Sequence, residues 1–226
     1  MPRHQEFIEK SGFSNDPLEE QENQLNKRSL PNALEYIKSD LDINEVILSG
    51  GDPLMAKDDA ISWFMDELEQ LPQIKRMRIH SRLPVVIPAR ITNELCQRLA
   101  NSPLKIVFIN HINHANEIDD DFKTAMQQLK KAGVTLLNQA VILKDVNDSS
   151  SAQIALSEAL FDADILPYYL YLLDKVAGAS HFDIEEPHAR KIMADMLIAL
   201  PGFLVPKLVR EIGGQQSKTP IDLKLI

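Results

Sequence analysis

The chain has 226 residues, which is enough for one domain with a short extra arm. Its composition, 44% hydrophobic and 25% charged, is typical of a soluble globular protein, and no apolar run is long enough to span a bilayer. The net charge of −9 argues against a protein that wraps nucleic acid, and the missing signal-peptide core predicts a cytoplasmic location.

Strands and helices alternate along the chain after a polar leader. Residues 1–29 are predicted to form an N-terminal arm, and residues 30–226 to form the folded domain. Apolar periodicity predicts six helices, at residues 30–40, 56–71, 92–101, 119–133, 149–163 and 185–200. Six apolar runs are predicted to be strands, at residues 44–51, 74–81, 104–110, 134–143, 166–174 and 203–209. Successive strands begin roughly thirty residues apart, which is the size of a βα unit.

This alternation indicates an α/β fold with a parallel sheet. The strands are apolar on both faces, as buried parallel strands are. The sheet can be open and doubly wound, or it can close into a whole or partial barrel, and periodicity does not decide between the two. In both arrangements ligands bind at the carboxyl ends of the strands.

Polar residues collect at those predicted strand ends. They include Ser49, Gly50, Gly51 and Asp52 after the first strand, His80, Ser81 and Arg82 after the second, His111 and Asn113 after the third, Gln139 on the fourth, Asp174 at the end of the fifth, and Glu211 and Lys218 beyond the last. Six clusters on one edge suggest a ligand site lined with hydrogen-bonding groups.

Each cluster also has a plain structural interpretation. The string SGGD at 49–52 can be a tight turn, or its glycines can let a ligand approach the backbone. The HINH string at 111–114 favours hydrogen bonding over metal binding, because no third ligand of zinc type is near. Lys218 can be a solvated lysine, or a buried one that forms a Schiff base with an aldehyde cofactor.

Several longer strings occur in order and carry a family resemblance: EVILSGGDPLM, MRIHSRLPVVIPARIT, FINHINHANEI, GVTLLNQAVILKDVND, LPYYLYLLDKVAGASHF and GGQQSKTP. Together they resemble the lysine 2,3-aminomutase family of radical S-adenosylmethionine enzymes. They are most similar to the branch that makes (R)-β-lysine for the modification of elongation factor P. The resemblance runs nearly continuously from residue 22 to 226 and implies a partial (β/α) barrel of the radical S-adenosylmethionine type.

The resemblance implies an isomerase that converts L-lysine to β-lysine. Its cofactors would be pyridoxal phosphate, S-adenosylmethionine and a [4Fe-4S] cluster, and these carry the difficult chemistry. Ser49–Asp52 match the loop that holds the methionine end of S-adenosylmethionine, and His111, Asn113 and Gln139 match cofactor-binding strand-end positions. Lys218 matches the lysine that binds pyridoxal phosphate. Asp174 and Glu211 match the carboxylates that bind the side-chain ammonium of the substrate, with Glu211 longer than the family's residue.

One family feature is missing from this sequence. The family holds its cluster with three cysteines in a C-x3-C-x2-C loop after the first barrel strand, whereas this chain has only Cys96, at a helical position elsewhere. The leader string DPLEEQ at 16–21 runs directly into ENQLNKR. The resemblance therefore implies an internal deletion that removes the first strand and the cluster loop, and we expect poor stability and no mutase activity.

Two other interpretations stay open at this point. The chain can be a non-catalytic remnant that binds a ligand or a partner such as elongation factor P. Without the resemblance, it would be a phosphate-binding barrel enzyme, a lyase or aldolase, that uses Lys218 as a Schiff-base lysine. The sequence does not indicate an oligomeric state.

Overall fold

The computed structural model describes residues 30–174, 178–215 and 217–224. The predicted N-terminal arm at 1–29 lies outside the described residues. No helix in the described part of the chain is both long and apolar enough to cross a membrane.

Helices and strands alternate as the sequence predicts. The helices are α1 (Leu30–Ser39), α2 (Asp58–Glu69), α3 (Leu83–Val86), α4 (Asn93–Ala100), α5 (Asp120–Lys131), α6 (Ser150–Asp162) and α7 (Glu186–Ala199). The strands are β1 (Glu45–Leu48), β2 (Arg76–Ser81), β3 (Lys105–His111), β4 (Thr135–Val141), β5 (Leu166–Tyr171), β6 (Lys207–Arg210) and β7 (Thr219–Pro220). Short 3-10 helices lie at Pro53–Met55, Pro88–Arg90, Ala115–Glu117, Ser180–Phe182 and Gly202–Leu204.

Local sequence signals fix the helix ends. Thr92 caps α4 by accepting a hydrogen bond from the backbone N–H of Leu95, and Ser149 caps α6 in the same way. Helix α5 begins with acidic residues and ends with two lysines. The negative charges lie at the positive end of the helix dipole and the positive charges at its negative end, which stabilises the helix. Gly133 follows α5 with a φ of 81°, as expected of a residue that ends a helix.

The described strands form one sheet whose spatial order is the chain order, β1 to β7. The pairs β1–β2, β4–β5 and β5–β6 are parallel, and the short β7 runs antiparallel to β6. Sequential parallel strands joined by helices are the repeating unit of a (β/α) barrel. The structure therefore confirms the predicted partial parallel barrel.

Inter-residue contacts divide the described residues into two compact units. Residues up to Ile109, together with Gln128–Thr135, form unit 1, and Asn110–Gln127 with the residues from Leu136 onward form unit 2. In unit 1, α2 buries one apolar face, and Met77 and Ile79 of β2 are also buried. In unit 2, α6 contacts α7 and β5, and α7 buries Ile192, Met193 and Met196.

The predictions from the sequence were least accurate at the ends of helices and strands. The predicted fifth strand, 166–174, ends in the structure at Tyr171, so Asp174 lies three residues beyond it. The predicted sixth strand begins as a 3-10 helix at Gly202–Leu204, and the strand itself covers Lys207–Arg210. Helix α3 and strand β7 were not predicted. Both are too short to produce an apolar period.

Candidate functional site

The SGGD loop follows β1 in unit 1 and has an unusual backbone. Gly50, Gly51 and Asp52 have φ angles of 84°, 50° and 33°, so three successive residues lie in the left-handed region. A Cβ atom at Gly50 or Gly51 would meet nothing within 4 Å, so it is the backbone conformation and not the space that requires glycine there. Both glycines and Ser49 are exposed, which leaves the peptide groups of the loop accessible to a ligand.

Asp52 holds this loop to the end of β2. One carboxylate oxygen accepts hydrogen bonds from the N–H of Leu54 at 3.0 Å and from Ser81 Oγ at 2.7 Å. The other accepts from the N–H groups of Arg82 and Leu83, at 2.8 and 3.0 Å. Both carboxylate oxygens of Asp52 are therefore already occupied by donors of the protein. The side chain of Asp52 holds the loop in place, and the groups that the loop offers to a ligand are those of its backbone.

Arg90 braces the turn that comes after the loop. Its Nε donates to the carbonyl of Leu54 at 2.7 Å, and its Nη2 donates to the carbonyl of Ala56 at 2.8 Å. The same guanidinium lies 2.7 Å from a carboxylate oxygen of Asp58 at the start of α2. Arg90 and Asp58 also line a cavity of about 510 Å³ beside this turn. Sequence reasoning passed over Arg90, because a lone arginine in a loop gives no periodic signal.

The ends of β3 and β4 in unit 2 bring two of the predicted residues together. Gln139 Nε2 lies 3.0 Å from His111 Nε2, so the amide donates to the imidazole in the tautomer that is protonated at Nδ1. Asn113 has a structural partner, since its Oδ1 accepts from the N–H of Val141 at 2.9 Å. The side chain of Asn113 thereby extends the pairing of the two strands beyond their ends.

Two buried asparagines organise the same strand ends. The amide of Asn138 accepts from the N–H of Ile112 and donates to its carbonyl, both at 2.9 Å. Asn147 donates to the carbonyls of Asn113 and Val141, at 2.7 and 2.9 Å. Asn147 was missed from the sequence. A fully buried asparagine that bonds to backbone groups in this way has no signature in a single sequence.

The histidine pair of the HINH string does not form a metal centre in the structure. His114 Nδ1 accepts from the N–H of Asn116 at 3.1 Å and caps the 3-10 helix that follows. Glu117 accepts in return from the N–H groups of Asn113 and His114. Among residues 30–174, 178–215 and 217–224, no group of three His, Cys, Asp or Glu side chains is placed to hold a metal ion.

A charged cluster in unit 2 contains the predicted cofactor lysine. Antiparallel pairing of β7 with β6 places Arg210 opposite Thr219, and this brings Lys218 back beside Glu211. Lys218 Nζ donates to Glu211 Oε2 and lies 5.6 Å from the ring centroid of Tyr171. The Lys218 side chain is 31% exposed and that of Glu211 is 52% exposed. The lysine is thus partly buried and also reachable from solvent.

Two pKa shifts show that the charges of this cluster interact. Burial raises the pKa of the Asp174 carboxyl, the carboxylate of Glu211 raises it further, and the ammonium of Lys218 lowers it. Burial also raises the pKa of the Tyr171 hydroxyl, and the charges of Glu211 and Asp174 add to that effect. Asp174, Glu211 and Lys218 are therefore near enough for their charges to interact. Tyr171 joins them, although the sequence predicted for it only a place in the strand at 166–174.

Cys96 does not fit an iron–sulfur cluster. It is the single cysteine of the sequence and lies half-buried on α4. Burial raises the pKa of its thiol, and the charge of Asp58 raises it further, so the thiolate that a metal needs is disfavoured. A cluster of the family type requires three such thiolates, and this chain does not supply them.

The fold is similar to that of a solved radical SAM enzyme. A solved structure with this fold, a radical SAM methyltransferase from Sphaerobacter thermophilus, superposes with a TM-score of 0.56 at 13% identity. The match covers 82% of this chain and 55% of the methyltransferase. At this identity the likeness defines the class of fold and carries no information about substrate. No protein-family model matches the chain.

Sequence relatives define the family more narrowly. An L-lysine 2,3-aminomutase from Escherichia coli is 49% identical over 258 positions, which cover 97% of this chain and 75% of the relative. One from Haemophilus influenzae is 46% identical and covers 95% of this chain and 75% of the relative. A glutamate 2,3-aminomutase from Clostridioides difficile is 31% identical over 89% of this chain and 48% of its own length. The chain belongs to the L-lysine 2,3-aminomutase family.

Proposed function

We propose that this chain derives from an aminomutase that converts L-lysine to β-lysine and that it keeps the lysine-binding part of that site. The observation that carries this proposal is the cluster of Lys218, Glu211 and Asp174 in unit 2. A primary amine beside two carboxylates suits both an aldehyde cofactor and a cationic substrate. These are also the residues that match the family's motifs.

The charge of the cluster supports lysine over glutamate as the substrate. Asp174 and Glu211 attract an ammonium, and the pKa of Asp174 is raised first by burial and then by repulsion from the carboxylate of Glu211. A cation placed between them relieves that repulsion. A glutamate side chain would add a third negative charge, so the local electrostatics favour the lysine enzymes over the glutamate enzyme among the relatives.

Two cofactors fit residues of this chain. Lys218 would hold pyridoxal phosphate, because its side chain is partly exposed and its Nζ lies 5.6 Å from the ring centroid of Tyr171. The exposed backbone of Ser49, Gly50 and Gly51 would bind the methionine end of S-adenosylmethionine, while Asp52 keeps that backbone in place. When bound, pyridoxal phosphate would supply electron delocalisation, whereas S-adenosylmethionine needs the iron–sulfur cluster to start a radical. The protein's part is to bind and orient them.

The strand-end residues of unit 2 complete the proposed cofactor contacts. His111 and Gln139 hold each other through one hydrogen bond, which leaves the remaining amide groups of Gln139 for a ligand. Asn113 would act less directly, because its Oδ1 already accepts from Val141. We therefore rank His111 and Gln139 above Asn113 as cofactor-binding residues.

We further propose that the chain is an internally deleted form without mutase activity. The alignment with the E. coli relative runs over 258 positions, more than the 226 residues of this chain, so parts of the relative have no counterpart here. The deletion would remove the cysteines, and without three thiolates no radical-generating cluster of this type can be held. Anaerobic reconstitution with iron and sulfide should give no β-lysine.

The undeleted parent would act on elongation factor P through its product. The motif similarity to the β-lysylation branch supports this role, which would place the protein in the cytoplasm, where elongation factors work.

The genomic sequence between the codons of Gln21 and Glu22 tests the origin of the gap. An intervening open frame with three cysteines would indicate a splice or assembly error. Continuous coding would indicate a natural remnant.

Cofactor binding can be tested without catalysis. We expect borohydride to trap pyridoxal phosphate on Lys218, with the modified peptide identified by mass spectrometry. Lys218→Ala should abolish the adduct. Lys207→Ala, which removes an exposed lysine of β6, should leave it unchanged. An adduct that persists in Lys218→Ala would refute the assignment of the cofactor lysine.

A further inference from the structure

Lys218 has an aromatic neighbour to which neither the family motifs nor the charge pattern assigns a role. Tyr171 is the last residue of β5, is 8% exposed, and pairs with Val209 in the register of β5 with β6. Its ring is therefore fixed by the sheet on the side of the cluster where Lys218 lies. Lys218 Nζ lies 5.6 Å from the centroid of this ring, within the distance at which an ammonium is attracted by the ring face.

We propose that Tyr171 is a positioning residue for Lys218, and that its ring face holds the ammonium beside Glu211. The ion pair with Glu211 alone would not fix the lysine, because the Glu211 side chain is 52% exposed and both side chains are long. The Tyr171 ring, fixed in the sheet, is the rigid partner of Lys218. What this positioning means for catalysis rests on the proposed function, whereas the positioning itself does not.

The charge state of the tyrosine agrees with this role. Burial, Glu211 and Asp174 all raise the pKa of the Tyr171 hydroxyl, so it stays a neutral phenol at any working pH. The attraction for Lys218 therefore comes from the ring quadrupole and not from a phenolate. The neighbouring rings fix its orientation further, since Tyr169 makes an edge contact with Tyr171 at a centroid distance of 5.7 Å. A phenylalanine in place of Tyr171 should therefore serve nearly as well, and an aliphatic residue should not.

The test measures the reactivity of Lys218 toward trace acetic anhydride, with Lys207 of the same molecule as the internal reference. Losing the ring favours the free amine, so Tyr171→Leu should make Lys218 about two to five times more reactive. Tyr171→Phe should match the wild type. Equal reactivity in Tyr171→Leu and the wild type would overturn the proposal. High reactivity in Tyr171→Phe would do so too, because it would assign the effect to the hydroxyl.

A second measurement needs no variant of Tyr171 to fold. After reductive methylation with ¹³C-formaldehyde, the Lys218 methyl signal of the wild type should be displaced upfield by the ring. The signal is assigned by its loss in Lys218→Arg. Coincidence with the signals of exposed lysines would contradict the proposal.

Adduct formation then separates the two proposals. If the wild type binds no pyridoxal phosphate but the reactivity and NMR differences appear, the proposed function fails and the role of Tyr171 stands. If the wild type binds it, Tyr171→Leu should need a higher cofactor concentration for half-saturation and Tyr171→Phe should not. Equal half-saturation in all three proteins would count against the positioning role.

Discussion

Two loops of this protein look alike in sequence and differ in construction. Both follow a parallel strand and both carry paired glycines, Gly50–Gly51 after β1 and Gly213–Gly214 after β6. In the first loop both glycines have positive φ, whereas in the second only Gly214 does. The first is held by four hydrogen bonds to Asp52, and the second by the ion pair of Lys218 with Glu211.

The difference indicates what each loop presents to a ligand. The β1 loop has a fixed backbone whose acidic side chain is already used, so it offers peptide groups. The β6 loop leads to two charged side chains, so it offers an amine and a carboxylate. Because hydrogen bonds of a carboxylate to N–H groups are strong and exposed ion pairs are weak, we expect the first loop to depend far more on its internal contacts.

The largest effect should come from removing the brace of the first loop. Asp52→Ala removes the acceptor of three N–H groups and one hydroxyl, of which the Leu83 N–H keeps Ser81 Oγ as an acceptor, and should lower the free energy of unfolding by about 2–3 kcal/mol. Urea denaturation measures this change. Asp59→Ala is the matched control, since it removes an exposed acid of the first turn of α2 and should cost at most about 1 kcal/mol. Equal losses in the two variants would show that Asp52 does not brace the loop.

A smaller effect should separate the glycines of the two loops. Gly50→Ala forces a residue with a Cβ into the left-handed region, although the Cβ itself meets no neighbouring atom. The backbone strain alone should lower the free energy of unfolding by about 1–2 kcal/mol. Gly213→Ala meets neither a positive φ nor a close neighbour, and should change stability by less than about 0.5 kcal/mol. Thermal unfolding of the two variants in parallel is sufficient. The comparison fails if Gly213→Ala is the more destabilised of the two.

The smallest effect concerns the charged cluster and has the opposite sign. The pKa of Asp174 is raised above its ordinary value of 3.8, so its ionised form costs folding energy at neutral pH. Asp174→Asn should therefore be more stable than the wild type at pH 7, by less than about 1 kcal/mol because solvent screens the group. The gain should disappear as the pH falls through the raised pKa and below 3.8, where the wild-type carboxyl is protonated in both states.

Denaturant unfolding at several pH values tests the sign of that prediction. Asp183→Asn, which removes an exposed acid of unit 2, serves as the control and should show no such pH-dependent gain. A wild type more stable than Asp174→Asn at pH 7 would mean that Lys218 outweighs both the burial of Asp174 and the repulsion by Glu211. The cluster would then be an ion-pair network that stabilises the fold, and not a site whose carboxylates favour binding of a cationic ligand.

Much of the fold could be predicted from the sequence because its signals are local or periodic. Buried strands such as β3 contain continuous apolar runs, and helices such as α4 carry a cap and an apolar face, so each element can be recognised from its own residues. The strand ends were predicted less accurately, as the position of Asp174 beyond β5 shows, because a strand ends where its pairing with a neighbour ends: β4 stops at Val141, opposite Tyr171. That neighbour lies elsewhere in the chain.

The sequence by itself determined the alternating α/β order, the family, and the absence of three cluster cysteines, since these depend on residue identity and spacing. Only the tertiary structure decided that Asp52 accepts hydrogen bonds from three donors at the end of β2, and that Tyr171 lies beneath Lys218. Both facts are contacts between residues about thirty or more positions apart. Such contacts are set by how strands align in the sheet, which no single stretch of sequence encodes.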